Sequence, residues 1–387
     1  MQLRRFAPPR RTPWLRRALL AAAIALAGAA GPTAADEGAP GLTRPFTLPP
    51  FDRNAPPCAA PQGLTKTLAF AQDNERNFMQ GVAQGLALAA KDRGLSYQVS
   101  HANNDPALMI TQVEQFLNAK VGALVAAPID APSLTHSLQQ VIWSGAYVGT
   151  VVPPPAITIL NAPQYLTGKV LADKAAAYIE AHLDGKAKVV LLTHDNLQFL
   201  APRFAAMRDS LRALPGVVIV ADISPLTVDE AGGEATMRTI LLAEPDVDVV
   251  LGADTVVLGA LKALREAGKA RPDQFLGGID GEPAAIAEIK AGGPYKATVS
   301  LASPVFGYAM GQHAADWLEG KSIPQAMDAL PRVLTPEDIA QYDRDAADPA
   351  AVYANPALRD LYLKMYGNIC FDSRDRYLNF PWSSERK

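Results

Sequence analysis

The stretch from Val247 to Pro283, VDVVLGADTVVLGALKALREAGKARPDQFLGGIDGEP, constrains the fold more than any other. Val247–Ala253 is an apolar run of strand length, and Asp254 stands at its end. Val257, Leu258, Leu261 and Leu264 then recur at spacings of three and four, which is one face of a helix. Gly268 occupies the place of a helix C-cap, and a second apolar run, Phe275–Ile279, ends at Asp280. These segments make a βαβ unit with a carboxylate at the carboxyl end of each strand. In open parallel sheets ligands lie in the crevice outside those ends. An isolated Asp there can equally cap the helix that follows it, so both readings stand for Asp254 and Asp280.

The same alternation runs through most of the chain. Strands are expected at Thr67–Ala71, Tyr97–Ser100, Ala123–Ala127 and Tyr147–Val152, with helices around Phe78–Arg93, Pro106–Ala119 and Ser133–Trp143 between them. Val151–Pro155 (VVPPP) breaks the rhythm, because consecutive prolines cannot form a central strand. It then resumes with a helix around Tyr165–His182, strand Val189–Thr193, helix Arg203–Leu214, strand Val217–Ala221 and helix Asp229–Ala243. Beyond Asp280 come a helix to Lys290, strand Ala297–Leu301 and helix Val305–Glu319. Strands alternating with helices of this length imply parallel sheets covered on both faces. The strands are too many for one compact sheet, and the break near Pro153–Pro163 divides them into two lobes.

Charge is distributed unevenly. Six arginines (4, 5, 10, 11, 16 and 17) precede the apolar run Ala18–Ala30, and no acid occurs before Asp36. That pattern predicts a secretory signal peptide over residues 1–35, cleaved near Ala35 or Ala34, with an apolar run too short to span a bilayer. Without those residues the chain holds 30 basic and 39 acidic side chains, a net charge of −9. No basic stripe remains for nucleic acid, and no later segment reads as membrane-inserting. The expected product is exported to the periplasm, with Sec and Tat routes both open.

Residues 36–63 are rich in Pro, Gly and Ala and read as an extended arm. Cys58 lies in this arm, and Cys370, the other cysteine, lies near the far end. In an oxidising compartment two cysteines admit one intramolecular disulfide, against the alternative of two free thiols. Residues 343–387 combine Tyr353, Tyr362, Tyr366, Phe371, Tyr377, Phe380 and Trp382 with Cys370. Aromatics at this density pack against something: a lobe of the same chain, or a membrane partner.

Three segments carry a resemblance to a known family. They are TLAFAQDNERNFMQGVAQGLALAAKDRGL, AEPDVDVVLGADTVVLGALKALREAG, and GGIDGEPAAIAEIKAG followed by KATVSL. In order and spacing they resemble the periplasmic solute-binding proteins of the ribose-binding type (type I), the ligand component of ABC importers. The resemblance spans about Leu64–Leu334, roughly seven-tenths of the chain. It implies two doubly wound α/β lobes joined by a three-strand hinge and closing on a small molecule. The implied division is 64–160 for the first part of lobe 1, 161–301 for lobe 2, and 302–342 for the return to lobe 1 with the hinge. The implied partners are a small-molecule ligand and an ABC permease of the inner membrane. A monomer is expected, with no cofactor.

Site residues carry over position by position. The family's first loop, with polar groups and a stacking aromatic, falls on Gln72, Asp73, Arg76, Phe78 and Met79. Arg203 falls on a ligand-binding arginine, Asp280 on a binding aspartate, and Asp254 on the neighbouring strand end. Departures bear on the ligand. Val152-Pro153 replaces an Asp-Arg pair, Ala253 an Asn and Leu301 a Gln, while Arg76 replaces a neutral amide. Sugar recognition relies on a dense fan of carboxylates and amides. Their loss, with an arginine gained, favours a less hydroxylated or anionic ligand that Arg76 and Arg203 could hold by charge-assisted bonds. Alternatively Arg76 points to solvent and Arg203 pairs with Asp280 or Asp254. His194-Asp195-Asn196 follows a strand and is a rim candidate.

Enzyme signatures are missing from the sequence. It contains no phosphate-binding glycine loop, no nucleophile elbow and no paired-histidine zinc motif, and neither cysteine has metal-ligand spacing. The expectation is therefore a transport binding protein. A periplasmic sensor subunit that signals to a receptor or histidine kinase would use the same fold.

Overall fold

The computed structural model describes residues 41–44, 46–195 and 198–385. The segment 1–35 expected to be a signal peptide, the start of the arm and Asn196 lie outside these residues.

Lobe 1 begins with β1 (Thr65–Gln72), α1 (Asn77–Asp92), β2 (Ser96–His101), α2 (Pro106–Asn118), β3 (Val121–Ala126), α3 (Ala131–Trp143), β4 (Tyr147–Val151) and β5 (Thr158–Asn161). Asp105 and Asp130 cap α2 and α3, each with a proline in the first turn, so helix starts follow the local sequence. β3 is buried along its whole length, as a strand covered on both faces must be. The chain then enters lobe 2 with α4 (Gln164–His182), β6 (Ala187–Leu192), α5 (Ala201–Arg212), β7 (Val217–Ile223), α6 (Glu230–Ala243) and β8 (Val249–Leu251). Next come α7 (Asp254–Glu266), β9 (Phe275–Ile279), α8 (Pro283–Ala291) and β10 (Tyr295–Ser300). It returns through α9 (Ser303–Leu318) and β11 (Ala326–Ala329), crosses to β12 (Arg332–Leu334), and continues through α10 (Ile339–Ala347), α11 (Pro349–Ala354) and α12 (Pro356–Tyr362) to β13 (Leu363–Tyr366).

Two sheets result. The first is ordered β13-β11-β5-β4-β3-β1-β2 and the second β12-β10-β9-β8-β6-β7. Pairing is parallel except where β13 meets β11 and β12 meets β10, both antiparallel edges. Two short strands depart from the sequence reading. β12 joins the second sheet, so the segment 302–342 does not lie wholly with lobe 1. β5, a strand the sequence reading did not expect after the proline-rich break, pairs with β4, and the chain leaves lobe 1 after Asn161, one residue beyond the expected bound of 160. Each lobe has its own core: Leu68, Phe70, Leu86, Phe306 and Trp317 are buried in the first, and Phe204, Val250, Leu261 and Phe275 in the second.

The arm and the C-terminal segment cover the β13 edge of lobe 1 together. Leu48, Leu378, Phe380 and Trp382 share a small buried cluster with Ile159 and Ala326, so the aromatic tail covers its own lobe. Cys58 and Cys370 are joined, closing a separation of 312 residues. The chain-entropy account values such a closure at roughly 5 kcal/mol, before any native strain.

Candidate functional site

The carboxyl ends of β1 in lobe 1 and of β6, β8 and β9 in lobe 2 carry the groups named above. In lobe 1, Gln72 is buried and donates from Nε2 to the carbonyl of Asn74, 2.5 Å away. Asp73 accepts the backbone N–H of Asn74 at 2.7 Å and faces the Arg76 guanidinium at 2.9 Å. Arg76 also donates from Nε to Asn74 Oδ1 at 2.8 Å, with its side chain 62% exposed. The loop therefore satisfies its own polar groups. Met79 is 5% exposed and belongs to the lobe 1 core. Phe78, on the first turn of α1, packs with its ring centroid 5.5 Å from that of Phe306 and tilted by 50°, and it lines the cleft.

Lobe 2 is built differently. Asp254 is fully buried and accepts from Tyr295 Oη at 2.7 Å, Thr298 Oγ1 at 2.7 Å and the N–H of Glu282 at 2.8 Å. Expected at the ligand, Asp254 here has both carboxylate oxygens engaged inside the lobe, where they hold the turn after β9. Gly278 makes room for it, since a Cβ there would land on Asp254 Oδ1 and the Tyr295 hydroxyl. Burial, followed by the charge of Asp280, pushes the Asp254 carboxyl up to about 7 despite the hydrogen bonds that oppose the shift. Neither Asp254 nor Asp280 caps its helix, for the N-cap positions of α7 and α8 are Ala253 and Glu282, and neither helix has a side-chain cap.

Asp280 lies at the cleft wall, with φ of 124°, a conformation other residues than glycine rarely adopt. Burial raises its pKa, while Arg203 and then Arg76 pull it back. Arg203 is 7% exposed and makes no ion pair within 4 Å among the described residues; its Nε donates to Gln164 Oε1 at 3.0 Å. The expected alternative, pairing with Asp280 or Asp254, is not formed. Burial lowers the Arg203 pKa and Asp280 raises it. Its backbone rests on Gly168 of α4, where any Cβ would collide with the Arg203 carbonyl. His194 is buried 6.2 Å from the Phe204 ring, and Asp195 is taken by Arg208.

Phe78 and Asp280 both line a cavity of about 460 Å³, together with Gln80, Glu282, Ser303 and Tyr342. Gln72, Asp73, Arg76 and Arg203 do not line it. Sequence reasoning missed Gln164, Tyr295 and Thr298. Gln164 is the first residue of α4, and the other two lie on the strand beside β9. Only the strand order, read as a neighbour relation, could have pointed to them.

Residues 68–322 match the model of a family described as a periplasmic binding protein domain. The chain is 26% identical over 260 residues to the ribose import binding protein of Bacillus subtilis, covering 65% of this chain and 81% of that protein. It also resembles the structure of a periplasmic ribose ABC transporter protein from Conexibacter woesei, with a TM-score of 0.65 at 20% identity over 74% of this chain and 97% of that one. A 5-methylthioribose transporter solute-binding protein from Thermotoga lettingae, solved with 5-methylthioribose, gives a TM-score of 0.62 at 22% identity over 79% and 96%. At these identities the structures show a shared fold.

Proposed function

The chain belongs to the periplasmic binding protein domain family, and from that premise we propose that it is the exported substrate-binding component of an ABC importer. Its ligand is a small sugar-like molecule, a polyol, or a sugar acid or other small carboxylate, held between the lobes and delivered to an inner-membrane permease. Membership places the chain among binding proteins rather than enzymes. No helix among the described residues is long and apolar enough to cross a membrane, and export rests on the signal peptide read in residues 1–35.

One observation carries the ligand class: Arg203 is a largely buried arginine that bonds neutral Gln164 and, among the described residues, forms no ion pair within 4 Å, with Asp280 near enough only to act on it electrostatically. Burying such donors is costly unless an acceptor meets them. A carboxylate or strongly accepting oxygen brought between the lobes would meet them and reward closure. Phe78 supplies a stacking face from the opposite wall and Asp280 an acceptor for hydroxyls. Closure then works by hinge motion between two rigid lobes.

The test is mass spectrometry of whatever co-purifies with the exported protein, followed by thermal-shift titration. D-ribose, xylitol, myo-inositol, 5-methylthioribose and aldonic acids are suitable probes. Saturation at a hundredfold excess over Kd stabilises the folded form by about 2.7 kcal/mol. Preference for an acid over its neutral sugar supports the anionic class. If no sugar, polyol, sugar acid or other small carboxylate binds, the assignment fails.

A further inference from the structure

The last described residues do more than cover lobe 1. Leu378 exchanges two backbone hydrogen bonds with Ala156, at 2.9 and 3.0 Å, and Trp382 is buried with its ring 4.9 Å from Tyr366. These contacts fix the tail to lobe 1. Three residues further on, the Glu385 carboxylate accepts the backbone N–H groups of Tyr165 at 3.0 Å and Leu166 at 2.7 Å. Those groups open α4, the first helix of lobe 2, whose own cap residue, Pro163, offers no side-chain bond. Between the two anchorages lies Ser384, which helps to hold the pKa of the buried Asp328 carboxylate down against burial. Asp328 accepts from Asn161 Nδ2 at 2.7 Å and from the Tyr366 hydroxyl at 3.0 Å. Asn161 is the residue at which the chain leaves lobe 1.

We propose that Ser383–Glu385 is a strap that ties lobe 1 to lobe 2 across the hinge and limits how far the cleft opens. The geometry supplies a short leash, since three residues from a buried tryptophan reach about 10 Å when fully extended. The chemistry supplies a releasable catch. A carboxylate at a helix N-terminus satisfies unpaired N–H groups and complements the helix dipole, an attraction that salt weakens where it is exposed. The catch also sits next to Gln164, which holds Arg203, so the strap fixes the end of α4 from which that arginine is positioned.

The test reads the distance between lobes in the ligand-free full chain, so its outcome is independent of which ligand the cleft takes. Spin labels on cysteines placed at Gln115 of α2 and Thr239 of α6, both exposed, report it by pulsed electron resonance. The native chain should give one narrow distribution. Glu385→Ala should shift it outward by several ångström and broaden it, high NaCl should do the same to the native chain, and Glu385→Gln should fall between. A chain ending at Trp382 should open at least as far as Glu385→Ala. Circular dichroism verifies that each variant is folded. An unchanged distribution in folded Glu385→Ala overturns the proposal, whatever the shortened chain does.

Discussion

The two walls of the cleft solve the problem of buried polarity in opposite ways. On lobe 1, Gln72, Asp73, Asn74 and Arg76 bond to one another within a single loop, leaving Phe78 as the surface offered to a ligand. On lobe 2, Asp280, which lines the cavity, and Arg203, which does not, are partly or wholly removed from water without forming an ion pair within 4 Å among the described residues. A self-satisfied loop gives shape and a stacking face. An unpaired buried charge gives selectivity, because its cost is recovered only by a matching group. Identity of the ligand should therefore reside in lobe 2.

The largest expected effect tests that claim directly. Arg203→Ala should cost about 2–5 kcal/mol of ligand affinity, at least about thirtyfold, with little change in the melting temperature of the ligand-free protein. Calorimetry showing affinity kept and apo stability lost would make Arg203 structural and move selectivity to the first wall.

A second test separates the two acids of lobe 2. The Asp254 carboxyl is raised from 3.8 to about 7 in the fold. Between those values the folded form keeps a proton that the unfolded chain has lost, so this group's contribution falls as pH rises across the window and is level above it. Asparagine cannot titrate. The unfolding free energy of Asp254→Asn minus that of the native chain should increase across the window, by roughly 4 kcal/mol at most. Urea melts across the window read it, and a pH-independent difference would place Asp254 in contact with water.

Smaller effects sharpen the contrast. Asp280→Ala, which removes a charged acceptor, should weaken binding by about 1.5–3 kcal/mol. Phe78→Ala, losing one stacking face, should cost about 0.5–1.5 kcal/mol beyond its buried area. Unchanged calorimetric affinity in both would misplace the cleft. Arg76→Ala should be smallest, under about 1 kcal/mol in affinity, because its partners are the exposed groups of its own loop. A loss as large as that of Arg203→Ala would erase the distinction between the walls.

What the sequence made legible follows from the range of each interaction. Apolar periodicity is local, and it placed α4 within one residue of its start and α7 with its buried face at Val257, Leu261 and Leu264. The exchange of β12 and the pairing of β5 depend on three- and four-residue strands whose partners lie elsewhere in the chain. Asp254 and Asp280 look alike in sequence, each closing an apolar run. Tyr295 and Thr298, on the next strand over, decide that one is sealed and the other faces the cleft. Arg76 shows the opposite limit: position in a family motif pointed to the ligand, while Asp73 and Asn74 beside it supplied nearer partners.

The strand order also has a consequence for the time course of folding. Lobe 2 draws its strands from residues 187 to 300, apart from β12, whereas the lobe 1 sheet sets β11 against β5 and finishes with β13. Loop closure over so long a stretch is slow relative to local pairing. A chain emerging from its N-terminus can assemble most of lobe 2 while the first lobe still lacks one edge of its sheet. Amides of β8 and β9 should accordingly become protected before those of β5 and β11 when refolding is followed by pulsed hydrogen exchange. The lobe that begins first is thus expected to be the last completed.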